Sequence, residues 1–584
     1  MGTDVPPQGY ASGCGSGCDS GCDSGYDDRL LDGLNDAQRE AVVSDAAPLC
    51  ILAGAGSGKT RVLTRRIAWR VSRGSALAAH VLALTFTRRA AAELGGRLSQ
   101  LGVREQVAAG TFHSVAYGQL RRWWADNDER PPAVLDSKVG VLAKLMPGLL
   151  PRRGERGSAE PADVAAEIEW AKARMIGPAD YEAAAAGAGR RPSLPAGAVA
   201  ALYERYEDEK RRRHRVDFDD LLLLCAAALE DDRRFGAAQR WRFRHLFVDE
   251  FQDVNPLQFR LLEAWRDGRP DLCVVGDPNQ AIYAWNGADP GYLTGFRQRF
   301  PAAAVVRLDD NYRSSPQVLA VANAVLDSSV AAPTPMAALT PMAAPTPTQS
   351  PVSVSVSSAA GGSPATGRGM RAHQPGGPAP TVASYATDGE EAAGIAAALR
   401  LRVGEVGWAQ MAVLTRTHAQ LVLFERALAA AGVPFRLRGG GGFLERAEIR
   451  GALAEIGRRP ADTLLAAALP DLRELAEEDV AAPAGTATER RSHLESLHRL
   501  AREHLATDPS ATCSAFLGGL RATLRGDDPD PGHEGVVLAT FHAAKGLEWE
   551  VVFLAGLEQG LLPIGHAETP EARAEEQRLL YVAV

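Results

Sequence analysis

Lysine is nearly missing from this chain: 6 Lys stand beside 58 Arg among the 64 basic side chains. A Lys that survives in such a background points to a site needing a compact point charge. Positive charge is not in surplus either. The net charge of -8 excludes a histone-like protein that coats nucleic acid by bulk charge. It does not exclude a local basic groove, because phosphate binding depends on where the cations sit. Long apolar runs are absent: nothing approaches the roughly 20 residues of a membrane span, so no membrane partner is expected. Met1–Tyr10 lacks the charged and greasy regions of a signal peptide. Cysteine is sparse, with 7 residues and no CxxC. Cys14, Cys18 and Cys22 lie in a Gly/Cys/Asp/Ser tetrad repeat, which reads as a flexible tail, since structural zinc wants four ligands on closed turns. The other four are scattered, as suits a reducing cytosol. What remains is ordinary: 584 residues, 46% hydrophobic and 23% charged, enough for several cores and not the composition of a disordered or fibrous chain. A soluble, cytoplasmic protein is expected.

Structure is expected from about Leu30, after a disordered tail over 1–29. Short apolar runs at Leu49–Leu52, Val81–Phe86, Leu246–Val248, Leu272–Val275 and Ala304–Leu308 alternate with helical patterns, the signature of a parallel sheet in an α/β domain. Residues 121–216 read as a helical, Ala/Arg-rich insertion. Ser328–Thr381 holds ten Pro, two Arg and no Asp, Glu or Lys, and so predicts a disordered linker. A second α/β region follows, with strands expected at Thr381–Tyr385, Met411–Thr415, Pro434–Leu437, Val536–Phe541 and Val551–Ala555, and a short helical insertion over 453–532. The expected plan is a first α/β domain over 30–120 and 217–292 and a second over 293–452 and 533–584, each interrupted by helices.

The strongest local signal is Cys50-Ile-Leu-Ala-Gly-Ala-Gly-Ser-Gly-Lys-Thr60. An apolar strand enters a glycine-rich loop that opens a helix, so that Ala53, Gly54, Ala55, Gly56, Ser57, Gly58, Lys59, Thr60 and Arg61 surround a phosphate chain such as that of ATP. Lys59 reaches the β/γ-phosphates and Thr60 ligates Mg²⁺. Ala53 stands where the strict pattern has Gly. A second acidic strand, His245-Leu-Phe-Val-Asp249-Glu250, supplies Asp249 for the Mg²⁺ and Glu250 to orient and deprotonate the attacking water.

Two stretches then become specific. Val248-Asp-Glu-Phe-Gln-Asp-Val-Asn-Pro-Leu-Gln258 and Val275-Gly-Asp-Pro-Asn-Gln-Ala-Ile-Tyr-Ala-Trp285 resemble motifs II and III of superfamily 1 DNA helicases of the UvrD/Rep/PcrA type. Leu34–Gln38, Ala83–Glu93, Gly110–Ser114, Leu308–Arg313 and Thr540–Glu548 resemble further motifs of that family, in order. Leu135–Lys138 and Glu167–Lys172 resemble a narrower actinobacterial group whose complete forms carry an HRDC domain. The resemblance implies two RecA-like P-loop domains, ATP hydrolysis with Mg²⁺, and 3′-to-5′ movement on single-stranded DNA with unwinding at single/double-strand junctions, in repair or replication, by a nucleoid-associated protein. It also implies roles. Gln38 would read adenine between Arg61 and Tyr312, Glu548 would bind ribose, and Gln280 and Arg313 would contact the γ-phosphate beside the catalytic Glu250 and Lys59. Phe86, Phe218, Tyr283 and Trp285 would stack on bases, while Thr111, His113, Thr540, His542 and Lys545 would hold the DNA backbone.

Lys210-Arg-Arg-Arg-His-Arg215 reads either as a solvated helix face or as a DNA contact. Asn286 replaces the Arg that many relatives place after motif III, and the second insertion is about half the length expected of the large regulatory domain. The final Glu575–Val584 resembles motif VI cut before its Thr-Arg-Ala, an expectation of a shortened chain.

Overall fold

The computed structural model describes residues 24–103, 107–135, 137–146, 161–327, 354–355, 369–438, 447–460, 462–477, 494, 497–498, 500–502, 504–505, 508–523, 534–565 and 567–584. The Cys14/Cys18/Cys22 repeat lies outside them. Along the first half run β1 (Leu49–Ala53), β2 (Val81–Thr85), β3 (Ala108–Thr111), β4 (Ala133–Val134), β5 (Arg215–Val216), β6 (His245–Val248), β7 (Leu272–Gly276) and β8 (Ala304–Leu308). Six of these form one parallel sheet in the order β3-β2-β6-β7-β1-β8. Its strands are apolar along their whole length because helices cover both faces. One face packs Leu82, Phe112, Leu222, Val274 and Trp265, and the other Ile51, Leu63, Ile67, Ala83 and Val275. β3 was missed in the sequence because Ala108-Ala-Gly-Thr111 holds no large apolar residue.

Among the described residues, four α-helices between 138 and 212 close their own core on Leu142, Ile168, Tyr181, Leu202 and Tyr206. Under that core lies a knot of charge. Lys172 Nζ sits 2.9 Å from Asp217 and 3.2 Å from Glu207, and Lys210 Nζ lies 3.0 Å from Asp217 and 2.6 Å from Asp220. The Lys210 of the basic run is therefore an inward-facing anchor, only 3% exposed. Arg211 and Arg212 pair with Asp208 and Glu209 on the solvated face of the same helix.

Next come β9 (Asp310–Asn311), β10 (Val354–Ser355), β11 (Arg371–Ala372) and β12 (Thr381–Val382), then β13 (Met411–Thr415), β14 (Phe435–Leu437), β15 (Val536–Thr540) and β16 (Val551–Leu554). The second parallel sheet runs β14-β15-β13-β16. Three expectations need correction. The domain boundary at 292/293 falls a strand too early, since β8 pairs with β1 in the first sheet. Thr381–Tyr385 shortens to Thr381–Val382 and pairs antiparallel with β10 instead of joining the second sheet. The C-terminal part of the expected disordered linker is built in: β11 pairs parallel with β9, and Asn323 Nδ2 donates to Met370 O at 3.2 Å. Such a segment needs little side-chain core because it is held by its backbone groups, which bond to neighbours. A separate helical core on Ile449, Leu453, Leu497, Phe516 and Leu520 represents the second insertion. No helix among the described residues is long and apolar enough to cross a membrane.

Candidate functional site

The phosphate loop is a turn that only glycine can make at two positions, Gly56 at φ +65° and Gly58 at φ +83°. A Cβ on Gly56 would also lie 2.7 Å from Arg313 Cβ and 2.8 Å from Asn311 Nδ2. Gly58 precedes the helix Lys59–Ser72, whose first turn no side chain caps, so its N–H groups point at the loop's contents. Lys59 Nζ donates to Gln280 Oε1 at 3.0 Å and lies 3.9 Å from Glu250 Oε2. Gln280 Nε2 donates in turn to Asp277 Oδ2 at 2.9 Å. Gln252 ties the two acidic turns together, donating to Glu250 Oε2 at 2.5 Å and accepting from Asp277 N at 2.9 Å. Three strand ends of one sheet, β1, β6 and β7, thereby converge on a single network.

Glu250 holds a left-handed backbone, φ +51°, unusual for a side-chain-bearing residue and common where function fixes geometry. Burial works to raise its carboxyl, but the Lys59 and Lys545 ammonium groups outweigh this and hold it below the usual carboxylate range. It is therefore an anion able to accept a proton. The adjacent Asp249 is pushed above the usual carboxylate range, first by burial and then by the Glu250 carboxylate. Asp249 is thus a buried oxygen donor whose charge wants a cation, which suits a hard divalent ion held together with the Thr60 hydroxyl.

The remaining nucleotide candidates are less uniform. Gln38 is 2% exposed and both ends of its amide are engaged: Oε1 accepts from Asn35 N at 3.2 Å and Nε2 donates to Ser57 O at 2.9 Å. In this arrangement it braces the phosphate loop. Arg61 donates to Asp32 O at 3.3 Å. Tyr312 is half-exposed, with its hydroxyl accepting from Asn35 Nδ2 at 2.8 Å. Arg313 pairs with Glu548 at 2.5 Å, both well exposed, which brings the expected γ-phosphate and ribose residues together.

Among the expected DNA contacts, the structure brings together Tyr283, Trp285 and His542. The Trp285 ring meets the His542 ring edge-on at 6.1 Å, and Tyr283 lies 6.3 Å away. Trp285 is 51% exposed. Burial, then the Arg416 guanidinium, pulls the His542 imidazole down to about 4, so it is neutral at pH 7. Four other expected DNA contacts are buried or nearly so. Phe218 is 8% exposed and packs in the core cluster beside Phe112, which hides its stacking face. Thr111 and Thr540 are buried, and their hydroxyls accept from Ser114 N and Ala543 N, completing turns. Lys545 points away from solvent, 2.5 Å from Asp253 and 2.7 Å from Gln280 O. Phe86 is half-buried with its ring 6.0 Å from Phe112, and His113 sits 5.9 Å from Phe218.

Sequence reasoning missed Asp253, Gln252, Asp277, Asn311 and Ile282. Asp253 lies in the quoted motif II, but its partner is 292 residues away and no local pattern joins them. Ile282 is fully buried against Leu414, Val537 and Leu579 of the second domain, so motif III leaves the first sheet at Gly276 and passes through the second domain's core before Trp285 emerges. Ala284 N donates to Glu575 Oε1 at 2.9 Å and Arg578 Nε to Ala281 O at 2.7 Å, fastening the same stretch to the last helix.

Two parallel α/β sheets, a phosphate loop between them and an acidic strand end beside it define a P-loop protein with two RecA-like domains. The chain matches the UvrD/REP helicase N-terminal domain over residues 34–301 and the UvrD-like helicase C-terminal domain over 306–458 and 463–584. It is 41% identical over 582 residues to the ATP-dependent DNA helicase UvrD2 of Mycobacterium tuberculosis, covering 95% of this chain and 77% of that one. It is 30% identical to the ATP-dependent DNA helicase PcrA of Leuconostoc citreum, covering 95% and 81%, and 27% identical to PcrA of Bacillus subtilis, covering 95% and 82%. The chain belongs to the UvrD/Rep helicase family.

Proposed function

We propose that this chain hydrolyses ATP to move 3′-to-5′ along single-stranded DNA and to open duplex at single/double-strand junctions, in the cytoplasm and in the service of repair or replication. The observation that carries the reading is the span of motif III. Within six residues it runs from Gln280, bonded to Lys59, to Trp285, exposed beside His542 of the second domain.

In this mechanism Lys59 binds the β/γ-phosphates and Gln280 senses the γ-phosphate through the same ammonium. Glu250, held as an anion, orients the attacking water and takes its proton, and water adds to the γ-phosphorus as ADP leaves. Thr60 and Asp249 would hold Mg²⁺, which when bound neutralises charge on the phosphate oxygens. Arg313 reaches the γ-phosphate by leaving Glu548. The base-stacking residues are Tyr283 and Trp285, with Phe86 as a further candidate; His113 and His542 are the polar backbone contacts that the buried Thr111, Thr540 and Lys545 do not supply. Loss of the γ-phosphate frees Gln280, and Ile282 carries that change into the second domain as a shift of packing.

The test is unwinding of duplexes with a 3′ or a 5′ single-stranded tail. Separation of the 3′-tailed substrate, dependent on ATP and lost in Lys59→Ala, supports the reading. Equal or preferential separation of the 5′-tailed substrate refutes the polarity, and ATP hydrolysis indifferent to DNA refutes the motor.

A further inference from the structure

Residues 370–374 carry chemistry that the nucleotide reading leaves unused. Met370 lies against the phosphate loop: a Cβ on Gly54 would collide with Met370 Sδ, and Tyr581 Oη approaches the same sulfur at 3.8 Å. Three residues on, the His373 ring stacks on Tyr312 with centroids 4.7 Å apart and planes 28° from parallel. Gln374 Nε2 donates to Tyr312 O at 2.6 Å. His373 is itself anchored, with its N–H donating to Asn311 O at 2.8 Å and Nε2 lying 3.1 Å from Asp310 Oδ1. Asp310 also receives Asn35 Nδ2 at 2.8 Å, and Asn35 is bonded to the Tyr312 hydroxyl. Tyr312 is therefore held at its phenol hydroxyl, at its backbone carbonyl and over one face of its ring.

We propose that His373 is a positioning residue for the nucleotide base: by covering one face of Tyr312 it fixes the ring so that the purine stacks on the other. This rests on the reading above that Tyr312 takes the base. A phenol ring has two faces, and one fixed by an aromatic neighbour presents a rigid platform, which lowers the ordering cost of stacking. The strap then serves recognition of the base and not of the phosphates.

The discriminating experiment compares ADP with tripolyphosphate, which has the phosphates and no base, by equilibrium binding to the full chain. His373→Ala is expected to weaken ADP roughly two- to tenfold, the range of one aromatic contact, while tripolyphosphate affinity stays unchanged. His373→Phe, which keeps the stack, is expected to restore ADP binding. Equal weakening of both ligands would overturn the proposal, because the strap would then act through the phosphate loop. So would wild-type ADP affinity in His373→Ala. Tyr312→Ala separates the two levels: if it leaves ADP affinity intact, the base site itself is misplaced, whereas if it weakens ADP while His373→Ala does not, only the role of His373 fails.

Discussion

Lys545→Met separates two physical roles for one ammonium group. The substitution keeps most of the stem and removes the charge. If Lys545 held a DNA phosphate, single-stranded DNA affinity would fall and the slope of log affinity against log salt would flatten by roughly 0.7, the single-strand value for one phosphate contact. The structure gives the opposite expectation. Lys545 and Asp253 are 9% and 5% exposed and 2.5 Å apart. Removing one partner of a buried pair leaves the other charge uncompensated, which costs about 3–5 kcal/mol, and the Gln280 carbonyl loses its donor as well, about a further 1 kcal/mol. Thermal unfolding followed by tryptophan fluorescence is expected to shift down by several degrees, with an unchanged salt slope for DNA. The loss also has a pH signature. Burial already pushes Asp253 up to about 7, and Lys545 is the main influence opposing it. A carboxyl whose folded pKa is raised contributes stability below its unfolded value near 3.8 and loses it as pH rises through the folded one. Without Lys545 the folded pKa rises further, so the deficit against wild type is expected to widen from pH 6 to pH 8. Asp253→Asn in the Lys545→Met background is expected to recover most of the stability, since a neutral amide needs no cation. A flattened salt slope with an unshifted melting temperature would refute the reasoning.

Three further outcomes follow from the same geometry. Lys59→Arg is expected to lose nearly as much ATP turnover as Lys59→Ala, because a planar guanidinium does not fit between Gln280 Oε1 and Glu250; wild-type turnover in Lys59→Arg contradicts this. Glu250→Gln removes the anion but keeps the shape, so ATP affinity is expected to survive while turnover collapses, and a parallel fall in both marks Glu250 as structural. Lys172→Arg crowds an ammonium site shared by Glu207, Asp217 and Asp220, and is expected to lower the melting temperature by several degrees, roughly 1–3 kcal/mol of overpacking; calorimetry showing no shift refutes it.

The fold was legible wherever a buried strand is a continuous apolar run, as at Leu49–Leu52 and Met411–Thr415, because a strand covered on both faces has no polar side to hide its signal. It failed where strands are short or small: Ala108–Thr111 was missed and Thr381–Tyr385 overdrawn. The phosphate-loop residues stood out since their spacing is set by local backbone geometry. Individual DNA contacts were harder to read because an aromatic or hydroxyl residue looks the same whether it faces a groove or fills a core. Phe218, Thr111 and Thr540 turned inward, while Trp285 stayed out. The scarcity of lysine proved informative in an unexpected direction. Lys138, Lys172, Lys210 and Lys545 are buried or nearly so in carboxylate clusters, where a compact ammonium fits and a planar guanidinium does not.

The account turns on motif III joining phosphate sensing to DNA grip. Trp285→Ala tests that link most directly, with ATP hydrolysis measured in the absence and presence of single-stranded DNA. Hydrolysis without DNA is expected to remain close to wild type, since Trp285 is half in solvent and outside the Lys59–Gln280–Asp277 network. The single-stranded DNA needed for half-maximal stimulation is expected to rise about 5- to 150-fold, the worth of one base stack at about 1–3 kcal/mol. Unchanged stimulation by DNA, or loss of DNA-independent hydrolysis together with early melting, would contradict the link.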